Sequence, residues 1–121
     1  MIDLKADDHV VAVWFAQQGR GWDWMACAVR RPGASTFELL SRHRHAETGE
    51  SEPFGAGQDA KRWISEEIAA ADEASLLAAI DALLADRKLR RVERVLVGGN
   101  VAAMTAALAD KTWAHAAAAP A

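Results

Sequence analysis

The segment His9-Val-Val-Ala-Val-Trp-Phe-Ala16 is rich in β-branched and aromatic residues. Such residues favour an extended strand, in which successive side chains point to opposite faces of a sheet. The two predicted faces are Val11, Val13 and Phe15 on one side, and Val10, Ala12, Trp14 and Ala16 on the other. Because both faces are apolar, the segment predicts an inner strand that is covered on both sides.

Two more strands are predicted directly after the first. Residues 17–21 contain two glycines and predict a hairpin turn, so that 22–30 forms a second strand. Arg31-Pro-Gly-Ala34 predicts another turn, and 36–45 a third strand that begins apolar and ends polar. The first half of the chain therefore predicts three antiparallel strands.

The second half of the chain is dominated by helical patterns. Residues 46–58 are polar and rich in glycine, and a loop of this length is usually functional or mobile. Asp59 can cap a helix in which Ile64 and Ile68 recur four apart, and Asp72 can cap a second helix over 73–87. Two helices with a break near Asp72, or one long curved helix, both fit the pattern.

The end of the chain predicts a fourth strand and a last helix. The cations of Arg87-Lys-Leu-Arg-Arg91 stand where the dipole of the preceding helix favours them. A strand is predicted over 92–97 and a helix over 101–113 with Asn100 as its cap, while 114–121 predicts a frayed tail. The whole chain, 1–121, is expected to form a single α/β domain with a mixed sheet and a right-handed crossover.

Composition limits the classes of function. The net charge of −3 argues against binding nucleic acid through bulk electrostatics, but it leaves room for a local basic patch. The single cysteine, Cys27, stands in an apolar run and fits a reducing compartment. The charged N-terminus has no apolar signal-peptide core, and no apolar run reaches the roughly 18 residues of a membrane helix. We expect a cytoplasmic protein with no membrane partner.

Three segments resemble the ribonuclease H superfold in the right order. Residues 24–30 are similar to its second strand, 75–83 to its central helix, and 95–100 to its fourth strand and the following turn. The positions of that family's catalytic carboxylates hold Trp14, Phe15, Ala16, Ser75 and Gly99. Two-metal hydrolysis needs several converging carboxylates. The resemblance therefore implies a ribonuclease H-like fold without the nuclease activity.

The loop Gly55-Ala-Gly-Gln58 follows the third predicted strand and precedes Asp59-Ala-Lys-Arg-Trp63. This arrangement resembles the Gly-Gly-Gln loop in the central domain of eukaryotic and archaeal class-1 release factors and their relatives among bacterial ribosome-rescue proteins. In that family the loop enters the peptidyl-transferase centre, where the glutamine helps water to cleave peptidyl-tRNA. The resemblance extends to Gly57 and Gln58, while Ala56 replaces the first glycine of the triplet.

The end of the third predicted strand is the best basic patch in the sequence. Its side chains are Arg42, His43, Arg44 and His45, with Arg30 and Arg31 expected on the adjoining strand. Arginine offers bidentate contacts to phosphate, whereas charges on a sheet edge also discourage unwanted strand pairing. A metal site made of His43, His45 and Glu47 is a further alternative, although we predict neither a metal nor another cofactor.

Trp14, Trp22 and Trp24 are predicted to share one face of the sheet. Exposed, they would offer a stacking platform for unpaired bases. Buried, they would form core under a helix or a subunit interface in a homodimer. The second interpretation is favoured, because three exposed tryptophans would be a solubility liability.

These patterns favour a binding protein over an enzyme, with RNA or the ribosome as the expected partner. The residues expected to contact the partner are Arg42, His43, Arg44, His45, Gly55, Gly57, Gln58 and Arg62. Two alternatives stay open. One is a minimal rescue factor that hydrolyses peptidyl-tRNA through Gln58, with Gly57. The other is a protein-interaction module, such as a phage- or plasmid-borne inhibitor of a host complex.

Overall fold

The computed structural model describes residues 4–17, 24–43 and 64–109, apart from the side chains of Arg42 and His43. Its elements are β1 (His9–Gln17), β2 (Trp24–Arg30), β3 (Phe37–His43), β4 (Ile64–Ile68), α1 (Glu73–Asp86), β5 (Arg90–Gly99) and α2 (Val101–Leu108). The strands form one sheet in the order β4-β3-β2-β1-β5. All four strand pairings are antiparallel, so this α+β fold does not contain the mixed sheet that we expected.

The two helices pack on opposite faces of the sheet. On the α1 face the core includes Val11, Ala12, Trp14, Trp24, Leu39, Leu76, Ile80 and Leu84. On the α2 face it includes Val10, Val13, Phe15, Met25, Cys27, Val29, Leu40 and Met104. β1 lies between β2 and β5 and is buried on both sides, as its sequence predicts. Neither described helix is long and apolar enough to cross a membrane.

A bulge near the start of β1 changes the predicted faces. β1 has one more residue than β2 between two successive pairs of the ladder, Val10 with Val29 and Ala12 with Ala28. Because an extra residue reverses the alternation of side chains, Val10 turns to the α2 face and Val11 to the α1 face. The predicted alternation is therefore wrong for Val10 and Val11, and it is right from Ala12 onward.

Residues 64–68 form an edge strand and not a helix. β4 pairs antiparallel with β3, and Glu66 lies opposite Leu39. The predicted helix over this segment is wrong, and so is the single helix across 59–87. A spacing of four residues between Ile64 and Ile68 suits one helical turn, but it equally suits two repeats of a strand. Residues 59–63 lie outside the described part of the chain.

Helix α1 begins and ends with well-defined hydrogen bonds. Asp72 is its N-cap, as predicted, and its side chain accepts a 2.7 Å hydrogen bond from the backbone N–H of Ser75. At the other end the N–H of Lys88 donates to Ala85 and that of Leu89 to Leu84. This Schellman arrangement requires a left-handed residue, and Lys88 has φ of 58°.

β5 and α2 confirm the predicted strand and helix with changed limits. Asn100 caps α2 by accepting a 2.9 Å hydrogen bond from the N–H of Ala103, and the helix ends at Leu108. Gly99 lies so close to α2 that a Cβ built there would be 2.8 Å from the Cβ of Ala103. The predicted tail, 114–121, lies outside the described residues.

Candidate functional site

Most of the predicted contact residues fall outside the described part of the chain. This holds for Arg44, His45, Gly55, Gly57, Gln58 and Arg62, for the alternative metal ligand Glu47, and for the side chains of Arg42 and His43. The backbone of β3 nevertheless shows which end of the sheet its last residues occupy. Arg42 pairs with Met25, near the start of β2.

The sheet separates Arg30 and Arg31 from the end of β3. Arg30 is the last residue of β2, at the end opposite Met25, and its partner across the ladder is His9. Five residue steps of an extended strand amount to about 17 Å. The backbone of β2 therefore places Arg30 and Arg31 at the opposite end of the strand from the position that pairs with Arg42.

Arg31 instead belongs to a partly buried ionic network on the α2 side. Its Nη1 lies 2.5 Å from Oδ2 of Asp8, and its Nε donates to Oε1 of Glu38 at 3.2 Å. The same Asp8 oxygen accepts the backbone N–H of Lys5 at 2.8 Å, and Ser65 donates to the second oxygen of Glu38 at 3.3 Å. Asp8 is only 1% exposed, so Arg31 provides the charge that makes its burial tolerable.

The two carboxylates favour the charged form of the Arg31 guanidinium. Burial alone would lower the pKa of Arg31, but its hydrogen bonds to Asp8 and Glu38 raise that pKa above the ordinary value. An open cavity of about 490 Å³ lies beside the network and is lined by Lys5, Asp7, Asp8, Arg31 and Pro32. Because the guanidinium already faces two carboxylates, this network suits a structural role, in which it fastens the turn before β1 to the sheet.

A second cleft lies on the α1 side of the same end of the sheet. It has a volume of about 260 Å³ and is lined by His9, Arg30, Phe37, Ala71, Asp72 and Glu73. Nε2 of His9 lies 3.0 Å from Oε1 of Glu73, which links β1 to the first turn of α1. The Arg30 guanidinium lies 5.8 Å from the centre of the Phe37 ring, a cation–π distance.

The strongest basic surface of the described chain lies around the start of β5. Five of the eight residues from 87 to 94 are cationic, and Glu93 is the one acidic residue among them. We call the five exposed cations, Arg87, Lys88, Arg90, Arg91 and Arg94, the basic strip. From the sequence we interpreted residues 87–91 only as the end of a helix. Their high density of cations was itself an indication of a basic surface.

The backbone shapes the basic strip at Arg91. Phe15 of β1 pairs with Glu93, and Gln17 pairs with Arg90. β5 therefore has one more residue than β1 between these two pairs, which is a bulge. Arg91 accommodates the bulge with φ of 52°, a conformation that side-chain-bearing residues rarely adopt. The bulge therefore lies within the basic strip, between the ladder pairs of Arg90 and Glu93.

Two cations of the strip are engaged by carboxylates, and two have no such partner in the described chain. Nη2 of Arg87 lies 2.7 Å from Oε2 of Glu66, and Nη1 of Arg94 lies 3.3 Å from Oδ2 of Asp81. Within residues 4–17, 24–43 and 64–109 no ion pair involves Lys88 or Arg91. These two side chains therefore present cations to solvent.

The predicted tryptophan platform is core where the structure describes it. Trp14 and Trp24 are buried on the α1 face, and Trp22 lies outside the described residues. Because the monomer itself covers Trp14 and Trp24, they have no surface for bases or for a second subunit. Nε1 of Trp14 is buried without a hydrogen-bond partner among the described residues, which carries an energetic cost.

Cys27 and the acidic residues provide no further reactive centre in the described chain. Burial raises the pKa of the Cys27 thiol far above its ordinary value, which keeps the sulfur protonated and unreactive. Among the residues that the structure describes, no three His, Cys, Asp or Glu side chains are grouped as metal ligands would be. The alternative ligand set, His43, His45 and Glu47, falls outside that description.

Comparison with family models, with curated proteins and with solved structures found no match to this chain.

Proposed function

We propose that this protein is a binding protein that contacts RNA, alone or within the ribosome, through the basic strip. The observation that carries the proposal is the exposed set of Lys88, Arg90 and Arg91 at the bulged start of β5. Arginine and lysine neutralise phosphates, and arginine does so with bidentate geometry. The contacts predicted from the sequence at Arg42, Arg44 and Gln58 remain part of the proposal.

The charges of the chain indicate what kind of binding to expect. With a net charge of −3, attraction to RNA must come from a local cluster and must fall steeply with salt. Contacts of this kind recognise the sugar–phosphate backbone rather than the base sequence. We therefore expect modest affinity, little sequence preference and a strong dependence on ionic strength.

The test is binding of a fluorescent single-stranded RNA, followed by anisotropy at several salt concentrations. Lys88→Gln/Arg91→Gln should weaken binding about tenfold and reduce the slope of log K against log salt by about 1.4, at about 0.7 per phosphate contact. Arg30→Gln is the matched control, because it removes an exposed arginine at the far end of β2. Unchanged binding by the double variant would contradict the proposal. The charges of the strip would then serve to prevent unwanted strand pairing at the sheet edge.

A protein-interaction module is the second candidate. It is supported by large apolar side chains on both edge strands, with Ile64 58% and Leu96 61% exposed. The rescue-factor alternative remains a proposal about Gly57 and Gln58. Peptide release from stalled ribosomes that persists in Gln58→Ala would contradict it. Kinship with the ribonuclease H superfold also remains a proposal, and the antiparallel pairing of β5 with β1 departs from the mixed sheet that the order of elements predicted.

A further inference from the structure

The two edges of the sheet carry complementary patterns on the α1 face. On β4 the side chains that face α1 are Ile64, Glu66 and Ile68, because their partners on β3 face that helix. On β5 they are Val92, Arg94 and Leu96, of which Arg94 contacts Asp81 of α1. Each edge therefore presents an apolar residue, a charge and another apolar residue, and the two charges are opposite.

We propose that the β4 edge of one copy of this chain docks against the β5 edge of another and continues the sheet. In this pairing Ile64 lies beside Val92, Glu66 beside Arg94 and Ile68 beside Leu96. The proposal shares Arg94 with the basic strip, but different residues carry it. It concerns the regular middle of β5, whereas the RNA proposal is carried by Lys88, Arg90 and Arg91 around the start of that strand.

The lengths of the two segments match. β5 is irregular near Arg91, with φ of 52°, and near Gly98, with φ of 62°. The regular stretch between these bulges, 92–97, has six residues, and β4 has five. Bulges normally interrupt the pairing of an edge with another chain, so here they confine a docking strand to the stretch that carries the complementary pattern.

Strand direction selects the geometry of the contact. β1 and β3 are both antiparallel to β2, so β4 and β5 run in the same direction within one sheet. A copy that keeps its α1 face on the same side therefore places its β4 parallel to β5. On the opposite face Ser65 then lies beside Glu93 and Glu67 beside Val95, so no like charges are directly opposed.

Three apolar side chains of the two edges are exposed and available for the contact. In one chain Ile64 is 58% exposed, Leu96 61% and Val92 40%. Arg94 reaches Asp81 only through Nη1, at 3.3 Å, and both side chains are largely solvated. Glu66 is partly buried: its Oε2 lies 2.7 Å from Nη2 of Arg87, and its Oε1 is buried without a hydrogen-bond donor in the described part of the chain. A neighbouring Arg94 would add a second cation beside this carboxylate.

The contact is head-to-tail and does not close by itself. Each added copy extends the sheet by five strands, or about 24 Å at ~4.8 Å per strand. Twist turns successive strands by about −20° to −25°, so each copy is rotated by roughly −100° to −125° from the last. Such an arrangement generates an open helical chain of subunits rather than a two-fold dimer.

The test is a charge exchange followed by sedimentation velocity from about 10 μM to about 1 mM, the range of weak interfaces. The mass average of the unchanged protein should rise with concentration. Glu66→Arg and Arg94→Glu should each lower the association constant about tenfold, because each opposes like charges across the contact. Asp86→Arg is the matched control and should associate like the unchanged protein.

Mixing the two single variants should restore association, because each then meets its charge partner on the other. The double variant Glu66→Arg/Arg94→Glu should associate alone for the same reason. Leu96→Lys tests the contact even if a charge reversal unfolds the chain. The Leu96 side chain is exposed, so this substitution should leave the core intact. It should still abolish association.

Several results would overturn the proposal. One is a chain that stays monomeric throughout this concentration range, and another is a mass that saturates at a dimer. A third is a mixture of the single variants that does not associate. Association that appears only when RNA or another protein is added would assign the edges to that partner and not to a second copy.

Discussion

Oδ2 of Asp8 lies 2.5 Å from Nη1 of Arg31, which joins the turn before β1 to the residue that follows β2. The carboxylate is almost fully buried, whereas the arginine side chain keeps 28% of its surface. This pair and the Arg31–Glu38 contact hold three separate segments of the chain at one end of the sheet. Losing the arginine would leave a buried charge without its main partner.

Arg31→Met should therefore destabilise the fold by about 3 kcal/mol, because the cost of an uncompensated buried carboxylate exceeds the value of the lost contact. Urea unfolding measures the change. The double variant Asp8→Asn/Arg31→Met should recover part of the loss, since it removes the stranded charge. Arg30→Met, at the neighbouring exposed position, should cost no more than about 1 kcal/mol, the value of its exposed cation–π contact with Phe37. An equally small effect of Arg31→Met would contradict a structural role for the network.

Asp72 should make stability depend on pH in the acid range. The hydrogen bond from the backbone N–H of Ser75 lowers the pKa of this carboxyl below its ordinary value. A group whose pKa is lower in the folded state stabilises the fold above its unfolded pKa, near 3.8, and this contribution disappears as pH falls through the folded value. Asp72→Asn keeps an acceptor for the cap but cannot titrate.

The measurement is thermal unfolding of the native protein and Asp72→Asn between pH 7 and about pH 2, where the carboxylate titrates. The stability difference between them should be constant above the unfolded pKa and should shrink below it. Asp86→Asn, at an exposed carboxylate outside the cap, provides the comparison. A difference that stays constant down to the lowest pH would show that the cap does not titrate as described.

Replacing Lys88 by glycine should stabilise the folded protein. The Schellman end of α1 requires φ near +60°, and Lys88 has φ of 58°. Because glycine adopts this conformation without a steric penalty, Lys88→Gly should raise the free energy of unfolding by about 1 kcal/mol. Lys88→Ala should bring no comparable gain, since alanine retains a Cβ. Equal effects of the two variants would contradict this explanation.

Gly99→Ala should separate α2 from β5. The new Cβ would lie 2.8 Å from the Cβ of Ala103, a distance that neither backbone can tolerate without moving. We expect a loss of about 1–3 kcal/mol in unfolding free energy. Adding Ala103→Gly to Gly99→Ala should cost less than the sum of the two single variants, because it removes the clashing atom. Strict additivity in this double-mutant cycle would rule out the clash.

The helix caps could be predicted because they act over a few residues. Asp72 and Asn100 each bind the N–H three positions ahead, so the pattern that identifies the cap is complete in the local sequence. The inner position of β1 could also be predicted locally, because its own sequence places apolar residues on both faces of the strand. These elements have the predicted type, and their ends differ by only a few residues.

The edge strand and the ionic network could not be predicted from local patterns. Ile64 and Ile68 are spaced for either a helix or a strand, and pairing with β3 decides between them. Asp8 and Arg31 are 23 residues apart, and no local pattern connects them. The predicted contact residue Gln58 lies outside the described chain, so its role stays a prediction.

Local sequence was therefore sufficient for the three-strand start, for the two caps and for the order of most elements. Long-range packing decided the rest: the bulge that exchanges Val10 and Val11, the strand at 64–68, and the antiparallel place of β5 beside β1. The physical reason is the distance along the chain over which each kind of interaction acts. Propensity and capping act within one turn or one strand, whereas a sheet edge gains or loses its partner through residues far apart in the chain.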